Sequence, residues 1–127
     1  MATRHQVRQA VVSLLYAKDM GNEMDDFKNE FLEEKKIRNA QFKYANELFN
    51  GILQNLEKLD EIINEKLSGH KINEIGTIER AILRLGAYEI KFTKTDKPVV
   101  INEGIEIAKE LCSETTPAFI NGVLDKI

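Results

Sequence analysis

Arg4, His5 and Arg8 stand close together in this sequence, and Tyr16 follows Arg8 by about two helical turns. On a helix turning about 100° per residue, His5, Arg8, Val12 and Tyr16 gather on one side, while Val7, Val11 and Leu14 centre an apolar stripe on the other. Basic side chains beside an aromatic ring suit single-stranded RNA: arginine pairs with phosphate and the ring stacks on a base. The competing reading is a helix packed on both sides, with Tyr16 in the core and the basic start merely solvated.

Three further places carry chemistry. Arg80, Arg84 and Lys91 share a helix face and form a second basic stripe. Glu79 falls among Ile75, Leu83, Gly86 and Ile90, where an unpaired acid is costly to bury. It is either an internal salt-bridge partner or part of a face that stays open for a basic partner. Phe119 lies at the edge of the stripe made by Ile120, Val123 and Ile127, in the first turn of its helix, where unpaired backbone N–H groups suit phosphate. A half-buried core phenylalanine is the plainer account.

Nothing in the sequence resembles an active site, and no cofactor or metal is expected. The glycines are too scattered for a phosphate-binding loop. His5 and His70 are far apart and form no metal-ligating pair. Acid pairs such as Glu33–Glu34 fall on polar faces, and the single cysteine, Cys112, sits among apolar neighbours as a small core side chain.

The elements that must position these residues are helices. The chain has 127 residues, 43% hydrophobic and 31% charged, which suits one domain with a modest core. The net charge is −3, yet residues 1–18 hold Arg4, Arg8 and Lys18 and no acid, so one end is locally basic on an acidic protein. No apolar run approaches the roughly 18 residues of a membrane span, and "MATRHQVRQ" lacks the apolar centre of a signal peptide. A cytoplasmic protein without membrane contact is expected.

Apolar spacing predicts a first helix over 3–20, a short second one marked by Met24, Phe27 and Phe31, and a long third from Phe42 to Ile63. A fourth spans 72–92, apolar almost all round as a central helix is. A fifth follows Pro98. The sixth starts with Thr116 as N-cap and Pro117 in its first turn. Gly51, Gly86, Gly104 and Gly122 lie inside helical patterns, and close helix crossings are expected to offset their cost of about 1 kcal/mol each. No alternating strand run appears, so the expected fold is all-α.

The stretches "RHQVRQAVVSLLY", "IERAILRLGAYEI", "VVINEGIEIAKEL" and "FINGVLDKI", in this order, resemble the NusB family of bacterial transcription antitermination factors. The resemblance covers nearly the whole chain. It implies a single domain over 1–127 with about six to seven helices in two packed halves, roughly 1–69 and 70–127. It also implies binding of boxA RNA in ribosomal RNA leader transcripts together with NusE, a small-subunit ribosomal protein, and then assembly with NusA, NusG and RNA polymerase. By position, the family's basic start falls on Arg4, His5 and Arg8, its tyrosine on Tyr16 and its phenylalanine on Phe119. Glu79 falls on an acidic position of the NusE-facing surface. The chain departs from the pattern by a thinned arginine-rich start, by Ser13 where glutamine is frequent and by Ala118 where lysine is frequent.

An RNA-binding subunit is thus the favoured reading. A purely protein-binding helical adaptor, or a homodimer that buries the RNA face, is the runner-up. A NusB-like domain of an RNA methyltransferase comes third, since no second domain or glycine-rich cofactor loop is present in the sequence.

Overall fold

A computed structural model describes residues 1–127. The first helix, α1 (Arg4–Asp19), starts at a reciprocal cap: the Gln6 amide N–H donates to Thr3 Oγ1 at 3.1 Å, and the Thr3 N–H donates to Gln6 Oε1 at 2.8 Å. Two otherwise unpaired helix-start donors are thereby satisfied. After α2 (Asp25–Glu34) comes a break in the expected long third helix. Its apolar spacing is real, but the helix divides at Asn55 into α3 (Ala40–Gln54) and α4 (Leu56–Lys66). Asn55 leaves helical geometry, with φ −116° and ψ 18°, and its side-chain amide donates to the Gly51 carbonyl at 2.8 Å. An asparagine that bonds its own backbone competes with the helix ladder. The pattern of apolar positions cannot register such a break, because the stripe resumes on the same side.

The expected fourth helix also begins later than its apolar run. Ile72–Glu74 form a single 3-10 turn, Ile75 is extended, and α5 occupies Thr77–Phe92. Every residue from Ala81 to Ala87 is buried, as an all-round apolar stretch requires. Helices α1, α3, α4, α6 (Lys97–Leu111) and α7 (Thr116–Asp125) all pack against α5. Helix α6 takes Asp96 as its N-cap and Pro98 in its first turn; α7 takes Thr115, one residue before the expected cap, with Pro117 in its first turn.

Two of the glycines do make close crossings. A Cβ on Gly86 would lie 2.7 Å from Leu124 Cδ2, and one on Gly104 would lie 3.2 Å from both Ile120 Cγ2 and Leu124 Cδ1. Helix α7 thus seats two large side chains in notches on α5 and α6. Gly51 similarly leaves room for the Tyr88 ring. Gly122 faces open space, so no crossing accounts for it.

One hydrophobic cluster of 27 buried residues runs through the molecule, drawing Val7 and Leu14 from α1, Leu59 and Ile63 from α4, and Ile120 and Leu124 from α7. There are seven α-helices and no strand. No helix is long and apolar enough to cross a membrane.

Candidate nucleic-acid interface

Helices α1 and α5 run antiparallel, and arginines pin both ends of their seam. At one end Arg8 is 3% exposed and Glu89 1%. Arg8 donates from Nε to Glu89 Oε1 at 2.8 Å and from Nη2 to Glu89 Oε2 at 2.9 Å, a two-pronged pair that matches guanidinium to carboxylate. Its Nη1 stands 3.6 Å from Glu103 on α6. The hydrogen bonds to Glu89 raise the Arg8 pKa despite burial. This corrects the expectation that Arg8 contacts phosphate: the side chain could reach RNA only by leaving Glu89 charged and unpaired in the core.

At the other end Arg84, also buried, donates from Nε and Nη2 to the two oxygens of Asp60 on α4, both at 2.9 Å, and from Nη1 to both oxygens of Asp19 at 3.2 and 3.0 Å. Arg84 is therefore a structural clamp between α1, α4 and α5, which corrects its placement on an RNA-facing stripe. Arg80 differs. It approaches Asp19 Oδ2 only to 3.6 Å, and its Nε is buried without a hydrogen-bond partner.

The remaining candidates reach solvent to different degrees. Arg4 is exposed and lies over the Tyr44 ring, 4.9 Å from its centroid, a cation–π contact from α1 to α3. Burial, then Glu89, pushes the Tyr44 phenol up. Tyr16 is 37% exposed although Val12, one turn before it, is buried. The far side of α1 is thus core in its middle and open at Tyr16. His5 is half-buried, with Nδ1 against Glu103 and Nε2 against Glu110 at 2.6 Å. Burial works against its charge, but hydrogen bonds to the two carboxylates outweigh that and raise its pKa. Lys91, the third member of the second stripe, is exposed.

Phe119 is partly buried against the core from the first turns of α7. One turn earlier, the Thr116 hydroxyl donates to Glu79 Oε1 at 3.4 Å. Glu79 forms no ion pair; it folds back over Gly76, where any side chain would overlap its carboxylate. A carboxylate over the first turn of α5 is also favoured by the helix dipole. Glu79 also adds to the burial that pushes the Cys112 thiol up, so α5, α6 and α7 meet there.

The structure therefore sorts the candidates into two ends. Arg4, His5 and Arg8 lie at the α1 start beside the end of α5. Tyr16 and Arg80 lie at the other end of the same seam, and Glu79 sits beside Thr116 at that same start of α5. Arg4 and Tyr16 are separated by about 18 Å along the helix axis, so no single nucleotide spans them. Sequence reasoning passed over Asp19, Glu89 and Tyr44. Glu89 had a signal, since it is an acid inside the apolar stretch "LGAYEIKF", like Glu79 in its own stretch.

The description of the NusB family matches residues 5–127. The transcription antitermination protein NusB of Campylobacter hominis is 62% identical over 127 residues, covering 100% of this chain and 97% of that protein. Among solved structures, T. maritima NusB superposes with a TM-score of 0.90 at 30% identity, covering 98% of this chain and 89% of the other. The antitermination factors NusB and NusE in complex with double-stranded RNA give a TM-score of 0.86 at 32% identity, covering 97% and 93%. A match that runs almost from end to end, carried by sequence and by helix arrangement alike, places this chain in the NusB family.

Proposed function

We propose that this chain is a transcription antitermination subunit that binds boxA RNA of ribosomal RNA leader transcripts together with NusE and acts by binding, without catalysis. The observation that carries this reading is the full-length identity of 62% to a NusB antitermination protein. The likeness to a NusB held with NusE and RNA supports both partners. Delivery to an assembly with NusA, NusG and RNA polymerase, in the cytoplasm, completes the role.

The residues proposed to touch RNA are those with accessible groups: Arg4, Tyr16, Arg80 and Phe119, with His5 at the margin. Phosphate pairing would fix position and the rings would help select bases. Glu79, an acid without a cation, is proposed to face a basic patch on NusE. A gel shift with boxA RNA, with and without NusE and in the presence of labelled S-adenosylmethionine, tests the reading. Binding strengthened by NusE, with no methyl transfer, is expected. Loss of RNA binding in a stable homodimer would favour the adaptor instead.

A further inference from the structure

Arg80 is the member of its charge cluster whose donors are unspent. Both Asp19 oxygens already accept from Arg84 Nη1, and Asp60 accepts from the other edge of Arg84. Arg80 is left 3.6 Å from Asp19 Oδ2, attracted to the carboxylate but beyond hydrogen-bond reach, with Nε buried and unpartnered. No side chain or carbonyl in the molecule accepts a hydrogen bond from its guanidinium. The side chain is 20% exposed and anchored by charge, so its Nη edge, not the buried Nε, is within reach of an outside acceptor such as phosphate.

We infer that Asp19 is a positioning residue that both aims Arg80 at an RNA phosphate and weakens that contact, so that it sets RNA affinity from inside the α1–α5 seam. This rests on the RNA-binding reading above. A phosphate near Arg80 must share the cation with Asp19 and bear the repulsion of its charge. Asp19→Asn keeps the size and one acceptor oxygen for Arg84 while removing that charge.

The test is titration of a single-stranded boxA RNA oligonucleotide, with NusE present, against the parent, Asp19→Asn, Arg80→Ala and the double variant over a salt series. Arg80→Ala should make the log–log salt slope shallower by about 0.7, one phosphate contact on a single strand. Asp19→Asn should bind roughly threefold to tenfold tighter at low salt, as expected for relief of one partly exposed charge interaction. That gain should disappear in the double variant. An equal gain without Arg80 would reduce Asp19 to overall charge and overturn the inference, as would unchanged binding by Asp19→Asn.

A readout on the parent protein covers the case in which the asparagine variant fails to fold. The Arg80 Nε–H resonance, assigned by its loss in Arg80→Lys, should shift on RNA addition, and an unmoved resonance overturns the inference. If the parent binds RNA and Arg80→Ala binds equally well, only the role of Asp19 and Arg80 falls. If the parent does not bind RNA at all, the RNA reading falls with it.

Discussion

The two ends of the α1–α5 seam hold similar residues arranged to opposite effect. At the Arg8 end, Arg8 and His5 face three carboxylates, Glu89, Glu103 and Glu110, and both prongs of the Arg8 fork are taken. At the Arg84 end, two arginines meet two aspartates, but Arg84 occupies both acids and Arg80 is left over. Excess acid locks the first end, whereas at the second end one arginine is left without an acceptor. What an arginine on a helix face does therefore depends on how many acceptors the opposing helices bring, which its own helix does not record.

The largest expected effect breaks the first end. Arg8→Ala strands the Glu89 charge in the core and should cost about 3–5 kcal/mol in urea unfolding. The double variant Arg8→Met/Glu89→Leu should recover most of that. A single variant as stable as the parent would show that Arg8 is free for phosphate after all.

Next, at the opposite end of the seam, Glu79→Lys should set like charges against each other at a desolvated contact, costing NusE binding several kcal/mol while leaving intrinsic RNA binding intact or slightly improved. Titration against NusE alone and RNA alone decides it. Unchanged NusE affinity in a folded variant would make Glu79 no more than a carboxylate laid over its own helix start.

Phe119→Ala should weaken RNA binding by about 1–3 kcal/mol, the worth of one stacked base. Thermal unfolding should move little, since only the edge of the apolar stripe is cut. The reverse pattern, a large fall in melting temperature with RNA affinity kept, would return Phe119 to the core.

The smallest effect sharpens the first end through pH. The His5 pKa is raised in the folded protein, so its contribution to stability is fully present below the unfolded value of about 6.5 and is lost as pH rises through the raised folded value. The groups facing it are Glu103 and Glu110 from α6, with Arg8 beside Glu103. Melting temperatures of the parent should fall relative to His5→Gln across that window; parallel pH profiles would remove His5 from the clamp.

Much of the fold was legible because helical periodicity is a local property. The limits of α1 could be read to within a residue from its apolar spacing, and the start of α7 from Thr116 and Pro117, whose effects act within one turn. Asn55 and Ile75 were not legible, because each breaks a helix without breaking its apolar stripe. Burial of Arg84 within the second basic stripe followed the same logic: it reads as a surface residue until Asp19 and Asp60 arrive from two other helices. Tyr16 was legible only as an alternative, since its exposure depends on where α3 and α5 stop covering α1. Which candidates touch RNA is a matter for the titrations above.

The same clamps bear on how the chain reaches its fold. Arg8 meets Glu89 across 81 positions of sequence, and His5 meets Glu110 across 105. The first helix to be synthesised therefore packs its apolar stripe on α3 and α5 but waits for α6, nearly the last element, before His5 finds its carboxylates. Closing so long a loop costs entropy before any contact rewards it. A chain released without α6 should leave the start of α1 frayed, with His5 unpaired, and unfolding of the whole should be a single cooperative step in which residues 1–69 have no separate melting transition of their own.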